Sequence, residues 1–331
     1  MSQDLGVIAA SVLVFAVAAV LASLLGGALY RPIRRFFRGL PPAAEAELLL
    51  AFASAPALAG VALVVLALMP SLAHLIGIGI DHCHEHGHHA HFCVTHAALW
   101  TGGGMDWLVL LLAAGAVVAF AGDLPQRLWK TYRVARALET LALPSPAPRS
   151  WRVVDMDGPL ALTAGLIRPR IYLSRRLLDA LSPAELAAVV GHEQAHRRRR
   201  DAVRQLAAEV LARLHLAPIR RRLLTDLSLA SERACDEEAA LSSNGRLCVA
   251  GTLLKVARLN ATQPPTDALL PTMTGADLEA RIEALLRPVA ARRAAPRSLL
   301  IPGAGAMLGL GCLYSDRLHH SVESALYLLI T

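Results

Sequence analysis

The sequence predicts an α-helical membrane protein with four transmembrane helices and one α+β domain in the cytoplasm. The 331 residues are 55% hydrophobic and have a mean hydropathy of +0.45, which is too apolar for one soluble domain of average composition. The apolar residues are concentrated in a few long runs. Between the third and fourth runs, short β-prone pieces precede a series of helical patterns, which favours an α+β domain there.

Four apolar runs predict the membrane helices. About twenty apolar residues cross a bilayer, and residues 7–29 and 48–69 reach that length without a charge. Residues 107–121, in a helix expected over 105–121, form a shorter run with tryptophans and a tyrosine at its flanks, as at membrane interfaces. Residues 299–314 contain one proline and four glycines and barely reach the required length. A cleaved signal peptide is the alternative for the first run, but no basic residue precedes it.

Basic residues predict the orientation, because cytoplasmic loops are enriched in Lys and Arg. Residues 71–104 contain neither, whereas the segments after the first and third runs are basic, with Arg31, Arg34, Arg35 and Arg38 in one and Arg127, Lys130, Arg133 and Arg136 in the other. We therefore expect a multi-pass protein of the cell (inner) membrane with its N-terminus outside. The net charge of +7 fits arginines that face anionic lipid, so direct nucleic-acid binding is not expected.

These runs divide the chain into four parts. Residues 1–122 form a membrane domain with an outward loop at 71–104, and residues 123–148 form a helical linker that ends in three prolines. Residues 149–297 form the cytoplasmic domain, and residues 298–331 form the fourth helix and a short tail. Within the domain, residues 151–156, 160–163 and 170–173 predict a small antiparallel sheet. Ser182, Pro183 and Glu185 form a capping sequence that predicts a helix start.

The predicted helix contains the motif H-E-Q-A-H at residues 192–196. Two histidines one helical turn apart lie on the same face, so both His192 and His196 are able to bind one zinc ion. Glu193 is then placed to act as the general base that takes a proton from water. The third ligand has to come from elsewhere, because Arg199 and Ala202 stand where the longer motif has Gly and a third His.

Glu232 is the best candidate for the third ligand. It opens the segment E-R-A-C-D-E-E-A, and Asp236 lies one turn later, where it is expected to accept a hydrogen bond from a ligating histidine. An acidic face of this kind is usually solvated, so the residues alone give Glu232 a modest lead. The alternatives are Glu209, His215, Glu237 and Glu238.

Three segments carry a family resemblance, in the order L-T-A-G-L-I-R-P-R-I-Y-L-S, L-S-P-A-E-L-A-A-V-V-G-H-E-Q-A-H-R-R-R-R-D and E-R-A-C-D-E-E-A. The chain resembles the integral membrane zinc metallopeptidases of the BlaR/MecR type, antibiotic-sensing signal transducers with a gluzincin domain. The resemblance implies that His192, His196 and Glu232 bind one Zn²⁺, that Glu193 is the catalytic base and that Asp236 supports the ligands. Asp201 is a weaker candidate for such support. Residues 160–164 resemble the edge strand that pairs with the peptide substrate, and residues 197–200 are expected to meet solvent or lipid headgroups.

The resemblance has one departure. In the antibiotic sensors a penicillin-binding domain with a Ser-x-x-Lys nucleophile follows the fourth membrane helix. Here residues 315–331 contain no Ser-x-x-Lys, so we do not expect this chain to sense beta-lactams by acylation.

Residues 81–96 read D-H-C-H-E-H-G-H-H-A-H-F-C-V-T-H and hold seven of the 13 histidines and two of the five cysteines. Such a density of imidazole and thiol groups predicts a second metal site, for zinc or copper. A soluble polar loop is the alternative interpretation. The candidate ligands are His82, Cys83, His84, His86, His88, His89, His91, Cys93 and His96.

The sequence thus predicts a membrane-embedded zinc endopeptidase. Its expected partners are the lipid bilayer and a cytoplasmic protein substrate, for which a transcriptional repressor is suggested by the resemblance alone. The histidine-rich loop is then a candidate metal sensor, and a homodimer is one option for the assembly. The alternatives are a non-catalytic metal-binding receptor that uses the loop, and a housekeeping membrane protease without sensory input.

Overall fold

The computed structural model describes residues 2–37, 39–77, 104–143, 150–156, 158–261, 275–287, 309 and 311–330. These residues form eleven named α-helices and one three-stranded sheet. The elements are α1 (Ser2–Phe37), α2 (Pro42–Leu75), α3 (Gly104–Ala121), α4 (Leu124–Leu141), β1 (Trp151–Val154), β2 (Ala161–Ala164), β3 (Arg170–Ser174), α5 (Arg175–Ala180), α6 (Pro183–Arg199), α7 (Asp201–Leu211), α8 (Ala217–Ser242), α9 (Arg246–Ala261), α10 (Gly275–Leu286) and α11 (Ser315–Ile330).

Two of the described helices are long and apolar enough to cross a membrane, over Gly6–Phe37 in α1 and Pro42–Leu75 in α2. In the most apolar 18-residue stretch of each helix, only 33% and 22%, respectively, is buried inside the protein. A core helix of a soluble protein would be mostly buried, so this exposed apolar surface indicates membrane association. The two helices pack closely, since a Cβ atom on Gly60 would lie 2.5 Å from the ring of Phe15.

The other two predicted spans are not tested by the described residues. The apolar part of α3, Trp107–Val118, is shorter than a full span, although Leu111 and Val118 on it are well exposed. Most of residues 299–314 lie outside the described part of the chain. The short tail expected after them contains α11. This helix packs on α2 through Val322, which lies beside Ala67.

Both long helices continue past the length that a bilayer needs. At 1.5 Å per residue, the 34 residues of α2 span about 51 Å, against about 30 Å of hydrocarbon. The end of α1 and the first turns of α2 share a hydrophobic core with the helices that follow the sheet. This core consists of Tyr30, Ala46, Leu49 and Ala53 on one side and Ala208, Ala212, Leu223, Leu227 and Ala230 on the other.

A buried charge network strengthens the same junction. Arg34 of α1 forms an ion pair with Glu45 of α2, and its Nε lies 2.8 Å from Oδ2 of Asp226 in α8. The Tyr30 hydroxyl donates a 2.7 Å hydrogen bond to the same carboxylate. Because removal of one partner leaves the other charge buried and unpaired, such a network fixes the relative position of the three helices.

The sheet is mixed, with strand order β1-β3-β2. β2 pairs antiparallel with β3, as expected, but β1 pairs parallel with β3, so the prediction of an antiparallel sheet is wrong for β1. β1 and β2 follow each other in sequence but do not form a hairpin, because β3 lies between them in the sheet. Gly165 makes the β2–β3 turn possible, with φ of 104° and a Cβ position only 3.0 Å from the Arg168 carbonyl oxygen.

The central strand β3 is the most buried part of the sheet. Ile171 and Leu173 face Leu177 and Val190, whereas Tyr172 faces Leu138 of α4 on the opposite side. This alternation follows from the opposite directions of successive side chains in a strand. The sheet is therefore held between α4 and α6, and β2 is left at its edge.

Candidate metal centre

Helix α6 begins where the capping sequence predicts. The Ser182 hydroxyl accepts a hydrogen bond from the Glu185 backbone N–H, and the Ser182 N–H donates to Glu185 Oε2 over 2.7 Å. Pro183 occupies the first turn, where no backbone N–H is needed. The helix thus has a fixed N-cap at Ser182, ten residues before His192. Gly191 then allows a close approach of α8, because its Cβ position would lie 3.3 Å from Ala239 Cα.

The structure brings His192 and His196 of α6 together with Glu232 of α8. The two Nε2 atoms are 3.1 Å apart, and they lie 3.4 Å and 3.5 Å from the Glu232 carboxylate oxygens. A tetrahedral zinc ion with ligand distances of about 2.0–2.1 Å has ligand-to-ligand edges of about 3.3 Å. The three side chains are therefore close enough to bind one zinc ion together, with Glu232 contributing one of its two oxygens.

Two further carboxylates orient the imidazole rings. Asp201 Oδ2 lies 2.9 Å from Nδ1 of His196, and Asp236 Oδ1 lies 3.0 Å from Nδ1 of His192, although this second contact is poorly aligned for a hydrogen bond. A carboxylate beside Nδ1 favours a proton on that nitrogen, so each neutral ring presents the lone pair of its Nε2. Each Nε2 atom then lies within 3.5 Å of the other Nε2 or of a Glu232 oxygen, and such a group of electron-rich atoms attracts a cation.

Arg281 of α10 completes the charge balance and was missed by the sequence analysis. Its Nε and one terminal nitrogen lie 2.7 Å and 2.6 Å from the two oxygens of Asp236, and its other terminal nitrogen lies 2.8 Å from Glu232. The side chain is only 2% exposed. One signal was present in the sequence, since Arg281 shares the apolar helix face of Leu278 and Leu285.

The acidic groups strongly favour positive charge at this point. Burial lowers the pKa of His192, but contacts with Asp236 and Glu232 outweigh it and raise the pKa to about 10 in the absence of an ion. Burial disfavours ionisation of Glu232, yet His192 and Arg281 hold its pKa below the usual value, and Arg281 does the same for Asp236. Proton and metal therefore compete for the same lone pair of His192.

Glu193 lies next to the candidate ligands and contacts the edge strand. The Thr163 hydroxyl of β2 is 2.8 Å from Glu193 Oε2 and 3.0 Å from the Glu193 carbonyl oxygen. Within the described residues Glu193 Oε1 makes no hydrogen bond, so it is available to accept a proton. Thr163 was singled out in the sequence only as part of a strand, and its link to Glu193 depends on the packing of β2 against α6.

A buried cysteine lies behind His196. Cys235 Sγ is 3.4 Å from both His196 Nδ1 and Asp201 Oδ2, so these three groups also lie close enough to hold a cation. Burial and the charge of Asp201 raise the pKa of the Cys235 thiol, which stays protonated and is a poor metal ligand in that form. Arg199 contacts Asp201 at 3.4 Å with a side chain 9% exposed, so this arginine does not face solvent as expected.

The alternative third ligands are all engaged elsewhere. Glu209 pairs with Arg127, Glu237 with Arg246 and Glu238 with Arg198, each within 2.6 Å. His215 is buried and stacks on Phe52, whose carbonyl oxygen lies 3.0 Å from its Nε2. The candidate second metal site (His82, Cys83, His84, His86, His88, His89, His91, Cys93 and His96) lies outside the described residues.

Comparison with known proteins gives one match. No curated protein and no solved structure matches the chain. The model of the family described as BlaR1 peptidase M56 matches residues 97–285, which is more than half of the 331 residues and includes every side chain of the candidate metal centre. The resemblance seen in the sequence is therefore confirmed, and the chain belongs to the BlaR1 peptidase M56 family.

Proposed function

We propose that the protein is a membrane-embedded zinc endopeptidase that cleaves a cytoplasmic protein. We also propose that this cleavage transmits a signal across the membrane. The observation that carries the proposal is the cluster of His192, His196 and Glu232, in which the two Nε2 atoms lie 3.1 Å apart and each lies within 3.5 Å of a Glu232 oxygen, as ligands of one zinc ion do. The family supplies the class of reaction, and the two apolar helices supply the membrane association.

The residues around this cluster fit peptide hydrolysis. When bound, zinc supplies Lewis-acid chemistry that polarises a carbonyl group and makes water more acidic. Glu193 accepts the proton of the attacking water and later delivers it to the leaving amine. Thr163 holds one carboxylate oxygen of Glu193 and leaves the other open. The outer edge of β2 fits main-chain pairing with an extended peptide, which would then lie next to Glu193.

We further propose that the chain crosses the cell (inner) membrane four times and that the metal centre lies on the cytoplasmic side. The support for this orientation is the basic character of the segments that follow the first and third apolar runs. A repressor as substrate rests on family analogy, and metal sensing by the histidine-rich loop rests on composition. Both remain predictions.

The test compares purified full-length chains in detergent and the same chains in cells. Wild type is expected to hold one zinc ion per chain and to generate cleaved cytoplasmic proteins. Glu193→Gln should keep the zinc but lose about 10²–10⁴-fold in cleavage rate, because the base is absent. Glu238→Gln is the matched control, since it makes the same chemical change on a carboxylate that pairs with Arg198. Equal cleavage by the two variants, or wild type without zinc, would overturn the proposal.

A further inference from the structure

An open pocket of about 490 Å³ lies where the apolar part of α1 ends against α8. Five arginines line it: Arg31, Arg34 and Arg35 from α1, and Arg221 and Arg222 from α8. The pocket is separate from the candidate metal centre, and none of its arginines contacts a predicted zinc ligand among the described residues.

The positive charge of the pocket is not balanced by the protein. Asp226 is the one acidic residue in the lining, and Arg34 and Tyr30 already hold its carboxylate at 2.8 Å and 2.7 Å. The other four arginines are exposed and have no acidic partner within the described part of the chain. Four like charges around one cavity repel each other and attract an anion. Guanidinium groups bind phosphate oxygens in pairs, so a phosphate group fits this lining best.

The surface next to the pocket indicates which kind of molecule would carry this phosphate. Within the three turns of α1 that precede Arg31, Leu21, Leu25 and Leu29 are 60%, 62% and 43% exposed. Exposed leucines on a membrane helix face acyl chains, and the arginines at its end then lie at the depth of the headgroups. A free phosphate ion would use the arginines alone, whereas a phospholipid would use both surfaces.

We infer that this pocket binds the phosphate-bearing headgroup of an anionic phospholipid, with the acyl chains along the leucines of α1. The bound headgroup joins α1 to α8, because the arginines come from both helices. The inference rests on the membrane association of α1 and not on zinc binding or catalysis.

The experiment measures thermal stability of the full-length chain in neutral detergent as lipid is added. The probes are phosphatidylglycerol, phosphatidylcholine and inorganic phosphate, each titrated separately. The test variant is Arg221→Gln/Arg222→Gln, and Arg31→Gln/Arg35→Gln removes the same charge from the opposite wall. The control is Arg168→Gln/Arg258→Gln, which removes two exposed arginines that line no part of the pocket and have no acidic partner in the described residues.

We expect phosphatidylglycerol to stabilise wild type and the control at the same concentration, and phosphatidylcholine to do so far less. Each interfacial arginine strengthens binding to anionic lipid roughly fivefold, so either test variant should need about 30-fold more phosphatidylglycerol. Protection by inorganic phosphate to the same extent would retain the phosphate site but overturn the lipid as its source. Equal titrations for test and control variants would overturn the inference altogether.

Discussion

Replacement of Arg281 by methionine removes the positive partner of Asp236, which is itself 1% exposed. The methionine fills most of the space but leaves a buried carboxylate with only the His192 ring beside it. Removal of one partner of a buried ion pair lowers the free energy of unfolding by about 3–5 kcal/mol. We expect the lower end of this range, because His192 still contacts the Asp236 carboxylate. At about 2–4 °C per kcal/mol, the expected fall in melting temperature is about 6–12 °C.

A double-mutant cycle separates this charge effect from loss of packing. Asp236→Asn combined with Arg281→Met removes both charges, so it should destabilise the protein less than the sum of the single changes. The stability of the four proteins is measured as the melting temperature in detergent. The state of the metal centre is measured as zinc content, because loss of a residue that supports a ligand weakens metal binding about 10–100-fold. Arg287→Met is the control, because that arginine pairs with Glu283 on an exposed surface. If Arg281→Met shifts the melting temperature no more than the control, the structural role of this arginine is wrong.

Three other predictions follow from single contacts. Thr163→Val removes the hydroxyl that holds Glu193, so kcat should fall about tenfold with KM and zinc content unchanged. Thr163→Ser keeps a hydroxyl and should restore kcat, and an unchanged kcat in Thr163→Val would contradict this role. Gly191→Val should force α6 away from Ala239 and cost about 1–3 kcal/mol, whereas Gly251→Val should cost much less, because nothing outside the neighbouring residues and backbone of its own helix lies within 4 Å of its Cβ position. Equal losses in melting temperature would refute the close approach. Hydrogen bonds from Tyr172 and Arg170 lower the pKa of Glu139 from 4.5, so its contribution to stability is present above pH 4.5 and is lost as the pH falls through the lower folded value. The gap in melting temperature between wild type and Glu139→Gln should therefore close in acid, and a gap that persists there would argue against the hydrogen bonds from Tyr172 and Arg170.

Local patterns in the sequence predicted the parts of the site that lie within one helix. The capping sequence at Ser182 and the spacing of His192 and His196 depend on neighbours three or four residues apart, which a sequence shows directly. Glu232 had only a modest lead, because the fold of the chain decides which acidic residue faces α6. The structure places it there and gives each rival another partner.

Features that depend on distant residues were missed or wrong. Arg281 meets Asp236 across 45 residues of sequence, and Thr163 meets Glu193 across 30. The parallel pairing of β1 with β3 also joins residues 20 positions apart, and the alternation within each strand does not indicate which strand will pair with it or in which direction. The sequence does not show such pairings, because each partner alone has the composition of an ordinary helix or strand.

The hydrophobic core shared by α1, α2, α7 and α8 has a practical consequence for work on the catalytic unit. A soluble fragment cut at residue 149 would lack α1 and α2 and would expose Leu223, Leu227 and Ala230 to water. Asp226 would lose both Tyr30 and Arg34 in the same cut, only two helical turns before Glu232. Such a truncation would aggregate or refold around α8, so zinc binding and proteolysis need to be measured on the full-length chain.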